Sequence, residues 1–177
     1  YGREEGLLWD ERVLPHLFEA LKEFPTCCFD GELYFHGWPL QRINSRARVT
    51  SVKPHEESHL LQYHIFDLIS DEPYYHRLEK LQQLAKKWKP PLYLVETVFC
   101  HDEAFGDLCY RGWKADDFEG SIYRDLNANY GFEHNCPNQE NRWSYLLKRK
   151  ERQDMEVECI GVEESSAFLA IKVPHIK

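Results

Sequence analysis

The fold of this chain is decided by residues 29–37, which read FDGELYFHG. Aromatic and apolar residues on both sides of Asp30-Gly31 are typical of a β-strand. A glycine inside a strand marks a bulge or a place where a ligand approaches the backbone closely. The segment therefore predicts a strand over residues 27–35 with such a feature at Gly31. Taken in isolation, its acidic residues would be surface groups beside a turn.

Helices and strands follow one another irregularly on both sides of this segment. Leucine and phenylalanine at helical spacing predict a helix over residues 13–24, which Pro25 ends. A second helix with an apolar stripe opens at Asp71-Glu72-Pro73, and a third is predicted over residues 101–111. Strands are predicted over residues 60–68, 92–99, 120–123, 143–148, 155–162 and 167–173. The lack of a regular βαβ alternation favours an α+β fold with antiparallel sheets.

Composition and charge restrict the class of protein. With 177 residues, 42% of them hydrophobic, the chain can fold around one core and begin a second. The longest apolar runs have the length of strands, and no charged-then-apolar leader precedes them, so we expect an intracellular protein without a membrane span. A net charge of −8 disfavours a broad nucleic-acid surface, although Lys148-Arg149-Lys150 concentrates positive charge locally.

The six cysteines are scattered without a CxxC pair, which favours free thiols and a reducing compartment. A zinc site could be drawn from Cys100, His101, His134 and Cys136, but their spacing matches no zinc finger or ribbon. Ordinary core cysteines and surface histidines are the favoured interpretation.

Four segments acquire a further meaning when they are taken in order. FDGELYFHG is followed by YHIFDLI (63–69), FEGSIYRD (118–125) and WSYLLKRK (143–150). This series resembles the nucleotidyltransferase motifs of ATP-dependent DNA ligases, especially the small phage and bacterial type. Residues 37–46 resemble the segment that follows the first of these strands in the family. Residues 1–6 (YGREEG) resemble the serine-arginine-x-glycine element that lies just downstream of the family's reactive lysine.

The resemblance implies a fold and a division into domains. The fold would be a nucleotidyltransferase (ATP-grasp-like) fold of antiparallel sheets flanked by helices. Residues 1–153 would form this adenylation domain without its N-terminal part. Residues 154–177 would begin a C-terminal β-barrel of the oligonucleotide-binding (OB) type.

The resemblance implies that Glu32 and Phe66 belong to a nucleotide-binding site, and Tyr63 is a further candidate. By the family's pattern, Glu32 contacts the ribose or assists the metal ion, and Phe66 stacks on the adenine. An aromatic face binds a base in this way with about 1–3 kcal/mol. Core packing is the plainer alternative for Phe66, and it is the favoured one for Tyr63. Asp67 is expected to be structural.

The phosphate and metal chemistry is implied for Glu119, Lys148 and Lys150. Glu119 corresponds to a carboxylate that the family uses with Mg²⁺, which prefers oxygen ligands and keeps several waters. Lys148 and Lys150 would lie on one face of a strand, with Arg149 pointing away, and bind the α-phosphate and the leaving pyrophosphate. Without the other motifs, the run of three basic residues would be only an exposed charge run.

Two arginines are implied as DNA contacts. Arg3 would contact a phosphate or the nick, and Arg124 stands where DNA ligases carry an arginine. The related guanylyltransferases of mRNA capping typically have aspartate-glycine in place of Glu119-Gly120 and no equivalent arginine. Glu119 and Arg124 therefore favour a ligase, whereas the plain alternative is a solvated ion pair between them.

The family's reactive lysine is missing from the 177 residues. It stands in a lysine-x-aspartate-glycine motif, and its amine attacks the α-phosphate of ATP to give a lysyl-AMP. The chain's one aspartate-glycine pair is Asp30-Gly31, with Cys28 at the place of the lysine. Lys114-Ala115-Asp116-Asp117 is the nearest other match, but it lacks the glycine and follows the third motif. We expect the lysine upstream of residue 1 and most of the barrel beyond Lys177.

The leading hypothesis is therefore a fragment of an ATP-dependent DNA ligase that uses ATP and Mg²⁺ to seal nicked duplex DNA. It would act as a monomer, with a missing N-terminal segment as a further partner. One alternative is a non-catalytic nucleotide- or DNA-binding module derived from the fold. Another is an RNA ligase or a capping-type nucleotidyltransferase.

Overall fold

The computed structural model describes residues 10–48, 54–130 and 146–151, and the backbone of residues 162–164 and 169–171. Within these residues the chain is a mixed α/β protein with small sheets. Its α-helices are α1 (Pro15–Leu21), α2 (Leu40–Ala47), α3 (Tyr74–Ala85) and α4 (Glu103–Ala115). Its strands are β1 (Phe29–Tyr34), β2 (Gln62–Leu68), β3 (Leu92–Leu94), β4 (Gly120–Arg124), β5 (Leu146–Lys150), β6 (Val162–Glu164) and β7 (Leu169–Ile171).

The helices begin where local chemistry allows it. α1 has a proline at its first position, where the missing N–H costs nothing. The Asp102 carboxylate caps α4 by accepting a hydrogen bond from the Phe105 N–H at 2.8 Å. α2 was not predicted as a helix, although Pro39 precedes it and Ile43 in its middle is buried.

The first sheet has the strand order β1-β2-β3. β1 pairs antiparallel to β2, as expected, but β3 pairs parallel to β2. The expectation of purely antiparallel sheets is therefore wrong here. The reason is that α3 connects β2 to β3 as a crossover helix, and a crossover returns the chain in the same direction. β3 is also much shorter than the predicted strand over residues 92–99.

The hydrophobic core lies between one face of this sheet and the helices α1, α2 and α3. Its fully buried side chains include Leu14, which immediately precedes α1, and Leu17 of α1, Ile65 of β2 and Leu81 of α3. Ile43 of α2 is also part of it. Since helices cover this face, the opposite face of the sheet is left to form a site.

The remaining strands form two antiparallel pairs. β4 pairs with β5, and α4 packs against β4. β6 pairs with β7, so two antiparallel strands lie where the opening hairpin of a barrel was predicted. The barrel itself and the division at residues 153/154 stay predictions, because most of residues 152–177 lies outside the described residues.

Among the residues that the structure describes, no helix is long and apolar enough to cross a membrane. The described cysteines Cys27, Cys28, Cys100 and Cys109 carry free thiols.

Candidate functional site

Strand β2 separates core residues from site residues by simple alternation. Tyr63, Ile65 and Asp67 are buried, whereas Gln62, His64 and Phe66 are only partly buried. Successive side chains of a strand point to opposite faces, so Gln62 and His64 lie on the face away from the core. This alternation holds only as far as Ile65, and Phe66 is assigned to the same face because it is only partly buried and lies beside Arg124. Glu32 is paired in register with His64 and shares that face. We call this surface, formed by Glu32, Tyr34, Gln62, His64 and Phe66, the open face.

A β-bulge lies beside Phe66. The register between β1 and β2 passes from Gly31 opposite Ile65 to Asp30 opposite Asp67, which leaves Phe66 without a partner. Bulges often re-aim a side chain next to a site. Gly31 permits the close approach, because a Cβ there would lie 2.5 Å from the His64 carbonyl oxygen. The predicted special role of this glycine as a bulge position is confirmed.

Lys148 and Lys150 lie on one face of β5, as predicted. Both side chains are exposed. Arg149 points the opposite way, toward α4, where it pairs with Asp107 and lies 4.2 Å from the Tyr110 ring centroid. The register places Ile122 of β4 opposite Lys148, so Ile122 shares the face of the two lysines.

Contacts at both ends of β4 place this face opposite the open face. Just before β4, the Phe118 ring stacks near Tyr34 on β1, with 6.3 Å between the ring centroids. At the other end, the guanidinium of Arg124 lies 5.1 Å from the centroid of Phe66. Arg124 alternates with Ile122 onto the same side of β4. From these contacts we infer that the lysine face of β4–β5 and the open face of the first sheet border one cleft.

The predicted site residues are distributed around this cleft. Glu32 and Phe66 lie on the open face, and Lys148, Lys150 and Arg124 lie on the facing strands. Glu119 immediately precedes β4, and its carboxylate pairs with the Lys150 ammonium at 2.9 Å. Within the described residues, no ion pair joins Glu32 to Lys148. Arg3 lies outside the described residues.

The Glu119–Lys150 pair lies in solvent, with 80% of the Glu119 side chain and 61% of the Lys150 side chain exposed. Exposed ion pairs contribute little to stability and exchange partners easily. A phosphate or a cation that enters the cleft can therefore compete for either group.

The alternative interpretation predicted an ion pair between Arg124 and Glu119. In the described structure, Arg124 pairs with Asp67 instead. Its guanidinium donates to the Asp67 carboxylate at 2.5 Å, and its side chain is only 16% exposed. Asp67 is 1% exposed and also accepts two hydrogen bonds from Arg77. The structural role predicted for Asp67 is confirmed, as is the core position predicted for Tyr63.

Sequence reasoning missed three members of this buried cluster: Asp30, Arg77 and Tyr130. The Tyr130 hydroxyl donates to the Asp30 carboxylate at 2.9 Å. Burial, and then the Asp30 charge, raise the pKa of Tyr130 above its usual range. A signal for Arg77 was present in the sequence. Arg77 lies on the apolar face of α3, next to Leu78. A buried cation at such a position needs a partner of opposite charge.

His64 gives the open face a pH dependence. Burial lowers the pKa of its imidazole. As the pH falls through about 6.5, the unfolded chain protonates this group while the folded chain does not. The unfolded state then binds more protons, so the free energy of unfolding should decrease toward acid pH.

The substitution His64→Gln should reduce this decrease. Urea denaturation between about pH 5 and pH 8 measures it. The matched control is His59→Gln, because His59 is exposed. An equal change of slope in both variants would contradict the assignment.

The carboxylates of the cleft suit magnesium better than zinc. Glu32 and Glu119 are both exposed and supply hard oxygen donors. Mg²⁺ binds through one or two carboxylates together with water and substrate phosphates. In the described part of the chain, no group of three or more histidine, cysteine or acidic side chains is arranged so that it could hold a metal ion by itself. Exposed carboxylates such as these can bind a hard cation when a second ligand, such as a phosphate, helps to hold it.

An open groove lies elsewhere on the molecule. Its volume is about 520 Å³, and it is lined by Tyr75, Leu78, Glu79, Gln82, Phe99, Leu126 and Asn127. None of the predicted site residues lines it. The groove and the cleft are therefore separate features.

Comparison with known proteins shows that the fold is similar to that of solved structures. No family model matches the sequence, and no curated protein does. One similar solved structure is a Lig E DNA ligase from a structure-function study of DNA binding with a minimal scaffold. It matches with a TM-score of 0.60 at 18% identity, over 82% of this chain and 57% of that one. A second, named Pmar-Lig_Pre, matches with a TM-score of 0.64 at 15% identity, over 90% of this chain and 39% of that one. This chain thus spans about half the length of these structures or less, and it has a fold similar to that of DNA ligases.

Proposed function

We propose that this chain is part of an ATP-dependent DNA ligase and that its cleft binds the adenine nucleotide. The observation that carries the proposal is the pairing of two surfaces of different chemistry. An aromatic ring, Phe66, lies on one side of the cleft, and two exposed ammonium groups, Lys148 and Lys150, lie on the other. A nucleotide presents the matching pair of a flat base and a charged phosphate chain.

Each residue would act through an interaction suited to its position. Phe66 would stack on the adenine, and the cations of Lys148 and Lys150 would neutralise charge that develops on the α-phosphate and the leaving pyrophosphate. Glu119 would release Lys150 to the phosphates and turn to a magnesium ion, which would supply charge neutralisation to the phosphate oxygens. Glu32 would bind the ribose or the same ion.

Nick sealing needs a lysine nucleophile that the 177 residues do not offer in the family's motif. Lys114, in the nearest alternative match, ends α4 and pairs with Glu151 at 3.6 Å. We therefore assign nucleotide binding to this chain and covalent transfer to a form in which a lysine-bearing segment completes the cleft. Nicked duplex DNA would then be the second substrate.

Support for DNA as the substrate is threefold. The fold is similar to that of a DNA ligase studied for DNA binding, the motif order resembles DNA ligases, and Glu119-Gly120 is followed by Arg124. Because the net charge is −8, we propose that a further domain of the ligase carries most of the positive surface for DNA.

Titration calorimetry with ATP and AMP tests the proposal. The wild-type chain should bind both without covalent modification, and labelled ATP should leave no acid-stable adduct. Phe66→Ala should weaken binding by about 5- to 150-fold, which corresponds to the loss of one base–aromatic stack of about 1–3 kcal/mol.

Two outcomes would contradict it. A stable covalent adduct on this chain would overturn the motif assignment, because the assignment leaves no reactive lysine. A wild-type chain that binds neither nucleotide would remove the proposed function itself. The control Tyr75→Ala changes an exposed aromatic residue of the separate groove and should leave affinity unaltered.

The second candidate function is a non-catalytic nucleotide-binding module, whose cleft would bind a nucleotide without covalent transfer. Adding an N-terminal segment with a lysine-x-aspartate-glycine motif separates the two functions. A ligase core should then form the covalent AMP adduct and seal nicked DNA, whereas a binding module should do neither. Sealing of nicked RNA in preference to DNA would instead identify an RNA ligase.

A further inference from the structure

Next to Phe66, the buried carboxylate of Asp67 is contacted by two arginines, Arg77 and Arg124, although one cation would balance its charge. Asp67 accepts hydrogen bonds from Arg77 Nε at 2.8 Å and from Arg77 Nη2 at 3.1 Å. This two-point contact alone satisfies the charge of one buried carboxylate. Arg124 adds a second guanidinium at 2.5 Å. The nearby Asp30 is bound by the Tyr130 hydroxyl instead.

Stability alone does not explain why a second guanidinium, that of Arg124, is partly buried beside Asp67. Removing a cation from water carries a desolvation penalty that one shared carboxylate repays only in part. Arg77 is already fixed by the carbonyl oxygens of Glu72 and Ala128, so it holds α3 against this region without Arg124. The position of Arg124 therefore calls for another reason.

The aromatic contacts of Arg124 supply that reason. Its guanidinium carbon lies over the Phe66 ring at 5.1 Å and over the Tyr74 ring at 5.0 Å. A guanidinium over an aromatic ring is attracted to its electron-rich face. Phe66 is also the residue that the β-bulge leaves without a cross-strand partner. Arg124 thus fixes a ring that strand pairing leaves unfixed.

We propose that Arg124, held by Asp67, is a positioning residue that sets the Phe66 ring as the base-stacking surface of the cleft. The inference rests on the proposed nucleotide site and deepens it. Arg124 acts through Phe66 on the base, and the phosphate-binding lysines act independently of it. This differs from the role of a DNA contact, which the resemblance implies for Arg124.

The test separates base affinity from phosphate affinity. The variants are Arg124→Gln and, as a matched control, Arg149→Gln. Arg149 also pairs with an aspartate and also lies over an aromatic ring, but on the opposite side of the same two strands. Calorimetry with ATP and with inorganic tripolyphosphate measures the two affinities, and thermal melting checks that each variant is folded.

We expect Arg124→Gln to weaken ATP binding by about 3- to 30-fold, the range of a partly desolvated cation–aromatic contact. Tripolyphosphate affinity should stay within about twofold, since Arg124 contacts Asp67 and Phe66 and would act on the base alone. Arg149→Gln should leave both affinities within the same limit. In a Phe66→Ala background, the effect of Arg124→Gln should disappear, because residues that act through one another are not additive.

Each contrary result has a distinct meaning. Equal losses for ATP and tripolyphosphate, or an undiminished effect of Arg124→Gln in the Phe66→Ala background, would overturn the positioning role alone. Similar losses in Arg124→Gln and Arg149→Gln would do the same. A wild-type chain that binds tripolyphosphate but not ATP, or neither, would overturn the proposed nucleotide function and this inference with it.

Discussion

We expect the substitution Asp67→Asn to lower the free energy of unfolding by about 3–5 kcal/mol, the usual effect of removing one partner from a buried ion pair. Asp67 and Arg77 are 1% and 3% exposed, and Arg124 is largely buried beside them. An amide would leave Arg77 and Arg124 without the carboxylate that both of them contact, in a site that is largely closed to water. Urea denaturation followed by circular dichroism measures the change.

The matched control is Asp107→Asn. Asp107 also pairs with an arginine, Arg149, but both side chains are 41% exposed. Solvent replaces the lost partner there, so a much smaller change is expected. If the two variants lose similar stability, the Asp67 cluster is not a structural centre of the fold.

We expect Ile65→Ala to lower the free energy of unfolding by about 2–5 kcal/mol while leaving the nucleotide affinity of the folded protein unchanged. Ile65 is fully buried at the middle of β2, and this strand pairs with β1 on one side and β3 on the other. Truncation would leave a cavity that hydrogen-bonded neighbours on both sides cannot close. Denaturation and calorimetry under folding conditions measure the two quantities.

The neighbouring variant Phe66→Ala should behave in the opposite way, with a large loss of affinity and a smaller loss of stability. The contrast follows from burial, because Ile65 is fully buried in the core, whereas Phe66 is only partly buried and lies beside Arg124. If Ile65→Ala weakens nucleotide binding in a fully folded protein as much as Phe66→Ala does, the two faces are not functionally separate.

Local pattern was enough to predict the elements that bury a regular stripe. α3 and β2 were predicted almost to their ends. Each of them buries one face, and this burial is visible in the sequence as leucines at helical spacing in α3 and as an alternating pattern in β2. α1 is shorter than predicted, since the turns on both sides of it also bury apolar residues. α4 extends four residues beyond the predicted Arg111 end, to Ala115, where no proline stops it.

Pairing between distant segments could not be predicted from the same signals. Leu92–Leu94 has the composition of a strand, but its direction relative to β2 is set by the α3 crossover. α2 was missed because it exposes most of its length and buries little beyond Ile43. A short helix with a single buried apolar residue does not show the repeated apolar stripe that marked α3.

The candidate site shows the same division. Alternation predicted that Lys148 and Lys150 share a face, and the structure confirms this. It could not predict that Arg124 would be engaged by Asp67, because these residues are far apart in sequence and meet only when β4 lies across β2. The roles of Glu32, Glu119 and the lysines toward a nucleotide stay predictions that the proposed titrations address.

The contacts that hold both ends of β4 against the first sheet should restrict motion of the strand at the cleft. Phe118 contacts β1 before the strand begins, and Arg124 is bound to β2 where it ends. A segment anchored at both ends cannot swing outward about either one. We therefore expect the gap between the sheets to change little in width, so that a ligand would lose little free energy in ordering the protein on binding.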